Sequence, residues 1–296
     1  MTNPLLRSVC SLLLGSVLAT SLLAQTPAPA APKLEFPAAS PAATIKQRVG
    51  LTDITLNYSR PSMKGRTIFG GLEAYGKIWR TGANSATTIA FSTPVKFGGA
   101  SVPAGTYALL TIPDKSSWTV ILNQVTDQWG AYAYDEKKDV ARVTATPTAL
   151  PLPVETFTIS FNHLHDDSAV LELAWEKTLV PVKIEVDVVS TLVPQIEAAM
   201  AAPGDKSGQL YAQAAMFYFE NNLDLTKAAA WMDAAVAANP KAFYLVYRKA
   251  LILEKMGDKA GALATAQASL AAANKAQGAI KEEYVRLNEA VIARLK

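Results

Sequence analysis

The chain has 296 residues, half of them hydrophobic, and a formal net charge of +3. That length supports one large domain or two ordinary ones, each with its own core. Acids lie among the bases nearly everywhere, which excludes the concentrated basic face of a nucleic-acid binder.

Residues 1–24 read as a secretory signal peptide: Arg7 precedes an apolar stretch from Ser11 to Leu18, small residues follow, and the expected cut comes after Ala24. Ser11, Gly15, Ser16, Thr20 and Ser21 interrupt the run and no basic stop follows it, which argues against a membrane anchor, so no transmembrane segment is expected after cleavage. A lipidated cysteine would follow its apolar run, whereas Cys10 precedes it. Cys10 is the only cysteine, so a mature chain cut at Ala24 has no disulfide, no thiol nucleophile and no thiolate metal ligand. Residues 25–41 carry Pro27, Pro29, Pro32, Pro37 and Pro41 among alanines and read as an extended linker.

Residues 42–189 are dominated by short alternating runs. Ile54, Leu56 and Tyr58 share one strand face, with Thr55, Asn57 and Ser59 on the other. Further strands are expected at Thr87–Phe91, Thr106–Ile112, Trp118–Leu122, Ala141–Ala145, Thr156–Phe161, Ala169–Trp175 and Val182–Val188. Turn signals separate them at Gly98-Gly99, Pro103-Ala104-Gly105, Pro113-Asp114 and Asp166-Asp167. Many short strands without an intervening helical pattern predict an antiparallel β-sandwich, jelly-roll-like in character.

Polar chemistry gathers in two stretches of this region. Between Arg60 and Asn84, five cations (Arg60, Lys64, Arg66, Lys77 and Arg80) face a single acid, Glu73, in a glycine-rich context. Arginine forks match carboxylate or phosphate oxygens, and glycines let backbone N–H groups converge, so a small anionic ligand or an acidic glycan fits this chemistry. The order of a phosphate-binding P-loop is absent, since Ile78 follows Gly76-Lys77. Within it, Trp79, Arg80 and Asn84 sit on one short bend: Arg80 would pair with an anion, Asn84 would hydrogen-bond it and Trp79 would offer a stacking face. Arg60 and Arg66 are supporting cations. The second stretch, Asp127–Asp139, holds Trp129, Tyr132 and Tyr134. The two tyrosines have strand spacing and would face one way, as a platform for a sugar or peptide. The alternative in both places is structural: glycines for turns, solvated cations, and aromatics closing one end of the sandwich.

These residues carry a resemblance. YSRPSMKGRTIFGGLEAYGKIWRTGAN, PAGTYALLTIP, WGAYAYDEKKDVARV, PVETFTISF and LELAWEKTLVPVKIEVD occur in an order that resembles the exported bacterial family known as domain of unknown function 2911, over about residues 40–188. The resemblance implies a secreted or periplasmic β-domain and no particular catalytic residue.

No catalytic constellation stands out. His163 and His165 form an H-x-H pair that, on a strand, would put both imidazoles on one face, with Asp166 or Asp167 completing a metal site; they are weak candidates, and no cofactor is expected. The G-x-S-x-G elbow of a serine hydrolase is missing. Paired carboxylates for glycoside hydrolysis could come from Asp135, Glu136, Asp139 and Glu155, although DEKKD reads as a charged loop.

From residue 190 to 296 the composition shifts to Ala, Leu, Lys and Gln at helical spacing, and it repeats with a period of about 34 residues. Met216 corresponds to Ala250, Phe219 to Leu253, Asp224 to Asp258, Ala228 to Ala262 and Val236 to Leu270. The first unit stops at Asn239-Pro240, and a closing helix is expected over Ile280–Lys296. The pattern resembles the tetratricopeptide repeat, without the large aromatic at the start of the first helix. Such a bundle would present a shallow groove to a protein or peptide partner.

The sequence thus predicts a two-domain β + α protein, exported, acting as a cell-envelope binding or scaffolding protein. The alternatives are an envelope hydrolase acting on glycan or peptide, and a purely structural envelope protein.

Overall fold

The computed structural model describes residues 34–204 and 206–296. The expected signal segment and most of the expected linker lie outside the described residues. Leu34–Ala38 has no regular secondary structure, and the remaining description concerns Ala39–Lys296.

Ten strands come first: β1 (Ala42–Val49), β2 (Thr52–Ser59), β3 (Thr87–Phe91), β4 (Val95–Phe97), β5 (Ala100–Val102), β6 (Gly105–Ile112), β7 (Trp118–Asn123), β8 (Asp139–Ala145), β9 (Thr148–Asn162) and β10 (Ser168–Val186). They form two antiparallel sheets, one of six strands in the order β1-β2-β3-β6-β7-β8 and one of four in the order β5-β4-β10-β9. All pairings are antiparallel, and the β4–β5 hairpin turns at Gly98-Gly99. Alternation places the inward residues as period-2 reasoning requires: Thr52, Ile54, Leu56 and Tyr58 are buried along β2 while Asp53 and Asn57 are exposed.

Two predicted strands, Ala169–Trp175 and Val182–Val188, fall in the single long strand β10, except that Asp187 and Val188 lie beyond its end and open the first helix. The register of β10 against β9 slips on either side of Glu176, which has a φ of 53°. Such bulges bend a strand without ending it, so a break in the hydrophobic alternation looked like a chain break. β1 escaped prediction because it is an edge strand whose side chains alternate between exposed and half-buried, with only its last residue, Val49, buried. Lys46 and Arg48 on that edge discourage pairing with another chain.

The inner faces of both sheets share one core. Its centre is aromatic. Phe69 packs edge-on against Trp118 with centroids 4.8 Å apart, and Trp79 stacks on Trp175 at 5.8 Å and 17°. Phe157 meets Trp79 at 5.1 Å. Two hydrogen bonds stitch this core to backbone: Ile159 N–H donates to the Tyr58 hydroxyl at 3.1 Å, and Trp175 Nε1 donates to the Glu155 carbonyl at 3.2 Å.

Six helices follow: α1 (Val188–Ala201), α2 (Gly208–Glu220), α3 (Leu225–Ala238), α4 (Phe243–Lys255), α5 (Lys259–Ala273) and α6 (Ala279–Leu295). α2 packs on α3, α3 on α4, α4 on α5 and α5 on α6. Ala228, Ala235 and Ala262 are fully buried, where small side chains let helix axes approach closely. Asp224 and Asp258, the pair matched by the sequence period, both serve as N-caps: Asp224 accepts from Thr226 N–H at 2.9 Å and Asp258 from Gly261 N–H at 2.8 Å. Inside the bundle, Asn288 on α6 donates to Ser269 Oγ on α5 at 3.0 Å, and Ser269 donates to the Phe243 carbonyl at 2.8 Å, so one polar chain ties α4, α5 and α6. No helix among the described residues is long and apolar enough to cross a membrane.

Candidate functional site

The long connection from β2 to β3 crosses one end of the sandwich, and its anchors are readable residue by residue. Trp79 forms an antiparallel bridge with Thr111 of β6, N–H to carbonyl at 2.7 Å and 2.9 Å in the two directions. Beyond it the chain turns through Thr81 (φ 55°) and Asn84 (φ 61°). Buried hydroxyls hold that turn: Thr87 Oγ1 donates to the Thr81 carbonyl at 2.6 Å, and Thr81 Oγ1 to Thr111 Oγ1 at 3.1 Å. Trp79 Nε1 closes it by donating to the Gly82 carbonyl at 3.1 Å.

Trp79 is therefore 3% exposed and part of the core. The expected stacking face is corrected on this point: bridge geometry turns residue 79 inward, and Arg80, its neighbour, faces the other way. Arg60 is also a structural cation. Its Nε donates to the Phe157 carbonyl at 3.2 Å and its Nη2 to Thr158 Oγ1 at 2.8 Å, pinning the end of β2 to β9. Arg66 folds back on its own loop, donating to the carbonyls of Met63 at 2.9 Å and Ser62 at 2.6 Å. Asn84 spends its amide on the Ser40 carbonyl at 3.3 Å and Ser59 Oγ at 3.2 Å, so its side chain positions the bend and does not reach outward for an anion.

Tertiary structure brings the two polar stretches together. Ser85 bridges Trp129, Ala86 N–H donates to the Gln128 carbonyl at 3.0 Å, and Gly130 N–H donates to the Asn84 carbonyl at 3.0 Å. The same Asn84 carbonyl accepts Arg80 Nη1 at 2.9 Å. A side chain at Gly130 would meet the Tyr132 ring at 2.9 Å and Arg80 Nη1 at 3.4 Å, so ring and guanidinium both close on the same point above that glycine. Trp129 is 64% exposed and Tyr132 84% exposed. The result is a surface corner with two open aromatic faces beside a half-buried arginine.

Tyr132 and Tyr134 do not face one way, because residues 131–133 form a turn in place of the expected strand. Tyr134 points back to the sandwich: its hydroxyl donates to Asp139 Oδ2 at 2.9 Å and accepts from Arg142 Nη1 at 2.8 Å. Burial first, then the Asp139 hydrogen bond, raises its phenol above the ordinary value. His163 and His165 are likewise off the strand. β9 ends at Asn162, His163 has a φ of 48°, and its Nε2 lies 3.8 Å from Glu172 Oε1. Among the described residues no three His, Cys, Asp or Glu side chains gather as metal ligands.

Glu73 is the residue that sequence reasoning passed over as a lone acid among cations. Its backbone is fixed in a tight turn, Glu73 N–H to the Ile68 carbonyl at 2.9 Å and Gly70 N–H to its own carbonyl at 2.8 Å. Its half-buried carboxyl lies under the influence of Arg80 and Arg66. Desolvation raises that carboxyl from an ordinary value of 4.5 to about 7, and the two arginine charges pull it back only in part. The one acid in a cationic glycine-rich loop was the available signal; its burial was not visible in sequence.

Two facing antiparallel sheets that carry such a corner, followed by packed helices, define a β-domain with a helical bundle appended. Residues 40–184 match the family model described as a protein of unknown function, DUF2911, in agreement with the resemblance carried by the motifs of that segment. No curated protein and no solved structure matches the chain.

Proposed function

We propose that this is an exported cell-envelope binding protein whose β-domain takes a carboxylate-bearing glycan at the corner formed by Arg80, Trp129 and Tyr132. The observation that carries the reading is the exposure of two aromatic rings next to Arg80, held there by backbone pairing between the β2–β3 and β7–β8 connections. Sugar C–H faces stack on such rings, and a guanidinium pairs with a carboxylate through matched N–H groups. A corner open on one side suits a chain that runs past it better than a small molecule that must be enclosed. Trp129 and Arg80 have the central roles, Tyr132 extends the platform, and Asn84 positions Arg80 through its carbonyl.

The helices are read as a short tetratricopeptide-like array. In support, Asp224 and Asp258 cap α3 and α5 at matched positions, and the α2–α3 and α4–α5 pairs pack in succession. Gln209, Gln213, Tyr244 and Arg248 line a cavity of about 540 Å³ between α2 and α4, which is where a partner segment would dock. Export and envelope location rest on the signal-like N-terminus.

Binding of polygalacturonate, followed by Trp fluorescence and calorimetry, tests the glycan reading. Arg80→Ala and Trp129→Ala should each weaken it at least tenfold with the fold intact. Equal binding by all three proteins would remove the corner from the function. A hydrolase reading would call on Glu73, a half-buried acid whose carboxyl desolvation raises to about 7, within the range that suits general acid work. Release of chromogenic glycoside that disappears in Glu73→Gln would replace binding with catalysis.

A further inference from the structure

A second concavity, which shares no residue with the Arg80–Trp129–Tyr132 corner, opens where the β2–β3 connection, the β6–β7 turn and the β9–β10 pair converge. It encloses about 200 Å³. The buried rings of Phe69 and Trp118 and the exposed ring of Tyr75 line it, and Asp114, Lys115 and Lys177 bring charge to it. Two local devices shape this place. The first is the slip in β10. Leu171, Leu173 and Trp175 are buried before it, and Val180, Val182 and Ile184 after it, so the inward phase moves from odd to even positions. Lys177 would point into the core on the first phase. The bulge at Glu176, with its φ of 53°, turns it outward to the cavity instead. The second device is Gly70, whose φ is 84°. A side chain there would meet Tyr75 Cε2 at 2.6 Å, so only glycine lets the Tyr75 ring lie against the backbone. Gly76 N–H then donates to the Pro113 carbonyl at 2.9 Å and ties the Tyr75 loop to the Lys115 turn.

The acids nearby are turned to backbone. Asp114 Oδ1 accepts from Ser116 N–H at 3.3 Å, and Glu176 Oε2 accepts from Phe69 N–H at 3.4 Å. Lys115 Nζ lies 6.0 Å from the Tyr75 ring centroid. Neither Lys115 nor Lys177 enters an ion pair among the described residues. Two ammonium groups without a carboxylate partner thus stand beside an aromatic-lined hollow. We infer that this cavity binds a small molecule made of one ring and one carboxylate, the ring against Tyr75, Phe69 and Trp118 and the carboxylate on Lys115 and Lys177. Ring faces pack on aromatic side chains, and a carboxylate gains charge-assisted hydrogen bonds from lysine. The volume is below the range of about 300–1,000 Å³ that drug-sized ligands need, so it suits a single ring and not a chain. Two sources share this chemistry: a free arenecarboxylate, and a sugar acid such as a terminal uronate.

The experiment is a ligand-observed NMR titration of the full chain with two probes, 4-fluorobenzoate and galacturonate, and with neutral 4-fluorobenzyl alcohol as control. Wild type should bind at least one of the two acids saturably, and the alcohol at least about tenfold more weakly, as the loss of charged hydrogen bonds predicts. The acid that binds names the source. Lys115→Ala/Lys177→Ala should weaken binding by at least about tenfold while melting like wild type, because both side chains are exposed. Lys115→Arg/Lys177→Arg keeps the charge and should keep binding. Trp129→Ala, which alters the corner alone, should bind both probes as wild type does. Three results would overturn the inference: a folded wild type that binds neither acid, binding that survives loss of both lysines, and binding that is lost in Trp129→Ala. None of the three decides whether polygalacturonate binds at the corner, so the two readings fail separately.

Discussion

Replacing Trp79 separates a structural residue from a recognition residue. The indole is 3% exposed and touches Phe69, Trp118, Phe157 and Trp175, with ring centroids from 5.1 to 6.3 Å away. Trp79→Ala leaves a cavity at the centre of the aromatic core, and such truncations cost about 3–5 kcal/mol. Trp79→Phe keeps most of the ring but removes the donor to the Gly82 carbonyl. That orphans a buried acceptor at about 1–3 kcal/mol, with loss of packing added. Urea melts followed by far-UV dichroism measure both, and thermal melts should fall by roughly 2–4 °C per kcal/mol for a domain of this size. The expected order is Ala worse than Phe, both worse than Trp129→Ala, which should lie within about 0.5 kcal/mol of wild type because Trp129 is exposed. A Trp79→Ala protein that melts like wild type would refute the placement of this ring, and with it the whole packing of the β2–β3 connection.

Three further outcomes follow from other parts of the molecule. Gly50→Ala should destabilise by about 2–5 kcal/mol: φ is 53°, and the new methyl would meet Val188 Cγ2 at 2.5 Å and the Asp166 carbonyl at 2.8 Å, where both handedness and overpacking cost energy; a loss under about 0.5 kcal/mol in denaturant melts contradicts it. Asp224→Ala and Asp258→Ala should each cost about 0.5–2 kcal/mol through a lost N-cap, and their effects should be similar if the two hairpins are equivalent; hydrogen exchange at the first turns of α3 and α5 reads this directly. The stability contributed by Glu73 should fall as pH rises. Its folded carboxyl titrates at about 7 against an ordinary 4.5, so the advantage is complete below 4.5 and lost by the time pH passes 7. Screening at this partly open position limits the effect to about 1 kcal/mol, and Glu73→Gln should flatten that part of the pH–stability curve; a curve of unchanged shape contradicts the raised carboxyl.

The alternation of Ile54, Leu56 and Tyr58, the strand at Thr87–Phe91 and the helix stop at Asn239-Pro240 were legible because each depends on residues within a few positions of one another. Period-2 and period-3.6 patterns, turn glycines and capping aspartates act locally, and a local rule can be read from a line of text. The same holds for the two polar stretches as chemical objects. β1 and the continuity of β10 through Glu176 were not legible, since an edge strand lacks a buried face to advertise and a bulge imitates a turn.

What the chain's own text determined is the order of a two-sheet β-region and then helices, and the segments that carry unusual side chains. What only the tertiary structure decided is which of those side chains meets water. Trp79 and Arg80 are neighbours in sequence, yet the bridge to Thr111 sends one into the core and the other to the surface. Arg80 and Trp129 are far apart along the chain, yet pairing of Ser85 with Trp129 makes them one corner. Burial and long-range backbone pairing are properties of the packed whole, and no short window of residues contains them.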